Sequence, residues 1–180
     1  MSDYYLHPVL TLAPVDYREL KTAAIRMLSE ESLNAVSSGQ SLATLRGLGR
    51  DEIQARLAEG RALAEAGDFE RAFSIAFDLY LLDPREYRHA FLAGMCMYEL
   101  GRPEDALAFY FAAERMGAPP EALFGMAQCC EALDDCRSAM RFYDRVGEMT
   151  RSQTQYEDLH ESATDAAHSL YTRQTQPAVT

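Results

Sequence analysis

Residues 67–84 read GDFERAFSIAFDLYLLDP, an apolar helix that carries alanine where larger side chains would bury more surface. The pattern recurs along the chain. With Ile53 as position 1, a second copy begins 34 residues later at Tyr87 and a third begins 33 residues after that, at Pro120. A period of this length is typical of the tetratricopeptide repeat, in which each unit is a pair of antiparallel helices.

Small residues recur at two positions of these copies, because antiparallel helices approach closely only where the facing side chains are small. They are Gly60, Gly94 and Ala127 at position 8, and Ala72, Ala106 and Ala139 at position 20. Gly67 and Gly101 at position 15 predict the turn between the helices, and Pro84 ends the first copy. An ordinary helical bundle with coincidental alanines would not keep one period twice.

The sequence therefore predicts an all-α fold, a tetratricopeptide-repeat superhelix of three helix-turn-helix repeats. The repeats span residues 53–86, 87–119 and 120–150, within an array that covers 51–150. We expect an N-terminal helical extension over 16–50 that mediates dimerisation, and a C-terminal capping helix over 151–171. Residues 1–15 are predicted to be a flexible segment and residues 172–180 a tail.

The charge balance excludes several classes of partner. Asp and Glu number 28 against 17 Lys and Arg, which gives a net charge of −11. Such a surface repels phosphate backbones, so we expect no nucleic acid partner. The first residues lack a basic signal-peptide region, and no apolar run is long enough to insert into a membrane. We therefore expect a cytoplasmic protein.

No catalytic, metal or cofactor site is evident in the sequence, and we predict a protein that is not an enzyme. The four cysteines form no Cys-x-x-Cys pair and have no histidine at ligand spacing, so we interpret them as reduced, small hydrophobic residues. They are Cys96, Cys129, Cys130 and Cys136. The GLG at 47–49 lacks the lysine and the hydroxyl residue of a phosphate loop and is interpreted as a turn.

A peptide-binding groove is the predicted functional site, because positions 2, 5, 9 and 12 of each first helix line the concave side of such an array. The candidate residues are Leu57, Arg61, Arg88, Phe91, Met95, Tyr98, Phe124 and Gln128. Leu57, Phe91 and Phe124 occupy position 5, where a clamp for a carboxylate would need lysine. The row favours an extended apolar ligand. The alternative is that these residues pack internally, or against the chain's own YYLHPVLTLAPV at 4–15.

Residues 38–150 resemble a known family, the class II chaperones of bacterial type III secretion (the SycD/LcrH family). The resemblance rests on SGQSLATLRGL before the first repeat, then AEAGDFERAFSIAFDLYLLDP, FLAGMCMYELGRPEDALAFYFAA and AQCCEALDD. In the family, a cysteine stands at position 10 of the first helix in the second repeat and in the third repeat. Cys96 and Cys129 match these two positions.

This resemblance implies a bacterial cytoplasmic chaperone that acts in virulence as a homodimer. It would hold an extended, Pro- and Leu-containing segment of hydrophobic translocator proteins in the groove, which keeps them soluble and prevents premature association. Leu57, Arg61 and Ala64 depart from the aromatic residues of the family's first repeat. An adaptor that scaffolds a secretion component or a transcriptional regulator is the alternative function.

Overall fold

The computed structural model describes Ala43 and residues 47–175, and within them it contains seven α-helices and one short 3-10 turn. The helices are α1 Arg50–Glu65, α2 Phe69–Leu82, α3 Tyr87–Glu99, α4 Pro103–Arg115, α5 Pro120–Ala132, α6 Cys136–Thr150 and α7 Glu157–Thr175. The second and third pairs begin at Tyr87 and Pro120, the first residues of the second and third copies of the pattern. The expected N-terminal segment 1–15 and most of the helical extension 16–50 lie outside the described residues.

The helix boundaries follow from local chemistry. The carboxylates of Asp68 and Asp135 cap α2 and α6 by accepting hydrogen bonds from the backbone N–H groups of Arg71 and Ser138, at 3.4 and 3.1 Å. Proline occupies the first turn of α4 and α5, where its missing N–H costs no helical hydrogen bond.

Position 15 of each repeat has a positive φ angle, which lets the chain leave the first helix in a left-handed turn. Gly67 and Gly101 have φ angles of 81° and 72°, and Asp134 has 58° at the same position of the third repeat. Asp134 is the one residue other than glycine with positive φ in the described part of the chain. The third turn therefore keeps the geometry without its glycine.

Each helix packs against the next one along the chain, and the first helices of neighbouring pairs also touch, α1 with α3 and α3 with α5. Ala72, Ala106 and Ala139 at position 20 are fully buried, as expected for residues at close helix crossings. The predicted all-α tetratricopeptide fold is confirmed for the described residues. Because the first helices lie closer to one another, we assign them to the inner side of the array.

An aromatic cluster joins the second helices α2 and α4. The ring of Phe109 lies 5.8 Å from Phe73, 6.1 Å from Phe77 and 5.9 Å from Tyr80, in edge-to-face contacts. Such pairs stabilise packing beyond the apolar area that they bury. The aromatic side chains of the first repeat therefore lie at other positions of α2, while position 24 is Ala76.

Helix α7 covers the end of the array by packing against α6. Ala163 and Leu170 are fully buried, and the side chain of His160 on α7 lies 3.0 Å from the Thr150 hydroxyl on α6. The helix begins at Glu157, after the turn Thr154–Tyr156, and continues to Thr175. The predicted capping helix was expected to end at Tyr171, so part of the predicted tail is helical.

Candidate functional site

A stripe of partly buried side chains runs along α3 at positions 2, 5, 9 and 12. These are Arg88, Phe91, Met95 and Tyr98. The helix period places residues with this spacing on one face. The neighbouring side chains Leu92, Cys96 and Met97 are buried in the core. This face of α3 thus remains accessible while the rest of the helix is packed.

Helix α5 repeats the same stripe. Its members Glu121, Phe124, Gln128 and Glu131 are partly buried, whereas Leu123, Met126 and Ala127 are buried. We call the surface formed by Phe91, Met95, Tyr98, Phe124 and Gln128 the inner surface. It combines four large apolar side chains with one amide.

Two phenylalanine–tyrosine pairs support this surface. The ring of Phe91 lies 5.7 Å from that of Tyr110, and the ring of Phe124 lies 5.3 Å from that of Tyr143, both edge to face. Each pair joins position 5 on the first helix to position 24 on the second helix of the same repeat. Both tyrosines are buried, so each phenylalanine rests on a fixed ring.

Tyr110 fits between two glycines of the first helices. A Cβ atom at Gly94 would lie 3.1 Å from the ring, and one at Gly125 would lie 2.5 Å from it. The second distance is shorter than two nonbonded carbon atoms tolerate, so the ring position requires glycine there. Tyr110 thereby touches both first helices that carry the inner surface.

The stripes of neighbouring repeats are aligned in register. At one end the Arg88 guanidinium donates a hydrogen bond to the amide oxygen of Gln54, at 3.2 Å, which joins position 2 of α1 and α3. At the other end Tyr98 and Glu131 are position 12 of α3 and α5. Burial raises the pKa of the Tyr98 hydroxyl, and the nearby Glu131 carboxylate raises it further. The Tyr110 ring, which lies against Gly94 of α3 and Gly125 of α5, keeps the two stripes of the inner surface side by side.

The first repeat does not contribute an apolar anchor to this surface. Leu57 is only 2% exposed and belongs to the core, so the prediction that it is an accessible groove residue needs correction. With Ala76 at position 24, no tyrosine ring holds the position 5 side chain outward. Arg61 is exposed and forms no ion pair within the described residues.

Arg88 is held in place by its own helix end. Its guanidinium donates to both carboxylate oxygens of Glu86, at 2.9 and 2.8 Å, in addition to its bond with Gln54. These hydrogen bonds hold the pKa of Glu86 below its usual range. Arg88 is therefore a fixed link between α1 and α3. The sequence predicted that it contacts the bound peptide, because its spacing does not indicate these local partners.

A polar cluster closes the far end of the inner surface. The Glu131 carboxylate accepts a hydrogen bond from the Tyr143 hydroxyl, at 3.2 Å. It also forms an ion pair with the guanidinium of Arg173 on α7, at 2.9 Å. Burial, followed by the charge of Glu131, raises the pKa of Tyr143, so its hydroxyl stays protonated as the donor. Arg173 lies in the predicted tail, and no signal in the repeat pattern points to it.

The four cysteines are free, and three of them are buried. Burial raises the pKa of Cys96 to about 11, of Cys129 to about 12 and of Cys130 to about 11. They are neutral thiols at physiological pH and lack the reactivity of a thiolate. The described residues contain no cluster of side chains suited to a metal ion. None of the described helices combines the length and the apolar character that crossing a membrane requires.

Comparison with solved structures finds close matches in fold. A type III secretion system complex from Aeromonas hydrophila is 21% identical, with a TM-score of 0.77 over 83% of this chain and 100% of that chain. PcrH from Pseudomonas aeruginosa is 28% identical, with a TM-score of 0.68 over 72% of this chain and 99% of that chain. SycD from Yersinia enterocolitica, a type III secretion translocator chaperone, is 18% identical, with a TM-score of 0.68 and coverage of 73% and 98%.

The predicted resemblance to the class II secretion chaperones is confirmed. The structural match covers nearly the whole length of the SycD and PcrH chains. It supports the prediction of a protein that is not an enzyme. Neither a family model nor a curated protein matches the sequence.

Proposed function

We propose that this protein is a type III secretion chaperone that binds an extended apolar segment of a hydrophobic translocator on its inner surface. The observation that supports this most is the pair of accessible phenylalanines, each resting on a buried tyrosine, on adjacent first helices. PcrH has been crystallised with the chaperone binding region of PopD, and SycD with a peptide of the translocator YopD. Binding would keep the client soluble and prevent its premature association in the bacterial cytoplasm.

The inner surface has the capacity for moderate affinity. Each apolar side chain that a ligand buries contributes about 1.5 to 3 kcal/mol, and a micromolar complex needs about 8 kcal/mol. Four anchors against Phe91, Met95, Tyr98 and Phe124, each at the upper end of this range, contribute about 12 kcal/mol, which leaves about 8 kcal/mol after an association cost of about 4 kcal/mol. The residues at 16–50 that we expect to form a homodimer are separate from this surface in the chain.

The experiment compares two phenylalanine substitutions in the full-length protein. Phe91→Glu places a carboxylate in the middle of the inner surface, and Phe111→Glu makes the same change at a side chain that is 38% exposed on α4. Each tagged variant is used to recover partners from the native cytoplasm, which are identified by mass spectrometry. Circular dichroism and thermal melting establish that both variants are folded.

We expect the parent and Phe111→Glu to recover a protein with long apolar segments, and Phe91→Glu to lose it. Met95→Glu is a second variant on the same surface in case Phe91→Glu does not fold. Recovery of a soluble regulator equally by all three proteins would contradict the proposal and favour an adaptor.

A further inference from the structure

We propose that the chain's own segment Tyr4–Val15 occupies the inner surface in the absence of a client. This inference rests on the proposed function, because it assigns a second ligand to the same surface. The segment lies outside the described residues, so its composition, the surface that it would cover and the length of chain between the two carry the inference.

The segment has an unusual composition for this chain. Its sequence is YYLHPVLTLAPV, in which none of the residues is Asp, Glu, Lys or Arg, whereas a quarter of the whole chain is charged. Pro8 and Pro14 have a fixed φ angle, and each disfavours a helical conformation for the residue before it. A stretch of this kind is unfavourable in water and is poorly suited to form a helix in an all-α array.

The inner surface matches such a segment. It presents Phe91, Tyr98 and Phe124 with Met95 between them, and aromatic surfaces of this kind bind extended segments that contain proline. Methionine adapts to irregular apolar shapes. The segment contains no acidic side chain that the acidic chain would repel, and no Lys or Arg that would form an ion pair with it. Its leucines and valines can therefore replace the apolar side chains of a client.

The connection is long enough to reach this surface within one chain. Residues 16–46 lie between the segment and Gly47, where the continuous described part begins, and 31 residues span about 45 Å even if they are entirely helical. A domain of this size has a radius of gyration of about 14 Å. A second copy is not needed to bring the segment to Phe91.

Tethering makes occupancy efficient. A segment tethered through about 30 residues has an effective concentration on the order of 1 mM. If the segment binds with a dissociation constant of about 10 μM, the apparent affinity of a competing ligand is about a hundredfold lower for the parent than for a protein with an open surface. The surface would then be covered until a client of higher affinity displaces the segment.

The test measures binding of a dye-labelled synthetic peptide of residues 4–15 to three full-length proteins. In Leu12→Glu the tethered segment carries a charge at an apolar position, and Thr11→Glu is the matched control one residue earlier. We expect the peptide to bind Leu12→Glu with a dissociation constant of about 10 μM, and to bind the parent and Thr11→Glu about a hundredfold more weakly. Adding Met95→Glu to Leu12→Glu should abolish binding.

Equal affinity for the parent and Leu12→Glu would overturn the inference. The inference also fails if the peptide does not bind Leu12→Glu while that variant still recovers the apolar client, and in that case the proposed function stands. If Phe91→Glu or Met95→Glu retains the client, the proposed function itself fails. A parent affinity that rises on dilution of the protein would indicate occupancy by a second copy and would contradict occupancy within the chain.

Discussion

The first repeat and the second repeat share one register and expose different surfaces. In the second repeat, position 5 is Phe91 and position 24 is Tyr110, and the pair leaves the phenylalanine ring accessible. In the first repeat the same positions are Leu57 and Ala76, and both are buried. A tyrosine at position 24 on the second helix therefore accompanies an accessible side chain at position 5 on the first helix, and an alanine there accompanies a buried one.

The aromatic bulk of the first repeat lies elsewhere. Phe73, Phe77 and Tyr80 on α2 surround Phe109 of α4 and hold the second helices together. The first repeat thus strengthens the array, whereas the second and third repeats supply the proposed binding surface. This division can be tested by changes that affect stability in one repeat and binding in the other.

The largest effect is expected for Leu57→Ala. Truncation of a fully buried leucine costs about 3 kcal/mol of unfolding free energy, because it removes apolar contacts and leaves a cavity. Leu81→Ala, at a side chain that is 41% exposed, should cost no more than about 0.5 kcal/mol. Urea denaturation measures both, at a temperature where the variants remain folded.

Peptide binding by the folded fraction of Leu57→Ala should equal that of the parent. If the affinity for the peptide of residues 4–15 falls, measured in the Leu12→Glu background, then Leu57 belongs to the binding surface and the comparison between the repeats is wrong.

A smaller effect is expected for Gly125→Ala. The added Cβ atom would lie 2.5 Å from the Tyr110 ring, which is buried and cannot move freely. We expect a loss of about 2 kcal/mol from overpacking, net of the gain in helix propensity. At Gly60 in the first repeat an added Cβ atom would lie 3.1 Å from the end of Leu92 and 3.2 Å from Cγ2 of Ile75. These distances are longer than the 2.5 Å at Gly125, so Gly60→Ala should cost less, about 1 kcal/mol.

Thermal denaturation of the two variants decides this prediction. Equal losses for Gly125→Ala and Gly60→Ala would show that Tyr110 adjusts its position, and that the floor of the inner surface is less rigid than its contacts indicate.

The smallest effect concerns pH and again separates the repeats. Position 3 is Ala55 in the first repeat and Ala122 in the third, but the second has His89, which is 1% exposed. Its Nδ1–H donates to the Asp83 carbonyl oxygen at 3.2 Å, and its Nε2 atom is buried without a partner. Burial lowers the pKa of His89, although Asp83 and Glu86 act in the opposite direction.

The folded protein therefore keeps His89 neutral at a pH where the unfolded chain binds a proton. The contribution of His89 to stability should be constant above about pH 7.5 and fall as the pH decreases below the ordinary value near 6.5. The slope from one proton is at most about 1.4 kcal/mol per pH unit. Urea denaturation between about pH 5.5 and 8 should show a shallower slope for His89→Gln, and identical slopes would contradict the prediction.

Most of the fold was predictable from the sequence. The small residues at positions 8 and 20 and the turn at position 15 repeat because helix packing demands them in every unit. Asp134 was harder to interpret, since a residue other than glycine at φ 58° departs from the usual preference. The extent of α7 was not predictable either, because its last turn is held by the distant Glu131.

The candidate site was predictable in part. Helical spacing places Phe91, Met95, Tyr98 and Phe124 on accessible faces, as the structure shows. Spacing does not indicate how deep a side chain lies, so Leu57 was expected to be accessible. It also does not indicate local partners, and Arg88 pairs with Glu86 only two residues away.

The contacts between neighbouring helices have a mechanical consequence. Each helix packs mainly on the next, so a pull on the C-terminal end would separate the helices one after another, beginning with α7. The first bonds to break would include the one between Arg173 and Glu131, which borders the inner surface. Traction on this end would therefore reach the border of the inner surface before it disturbs Leu57 or the aromatic cluster of α2.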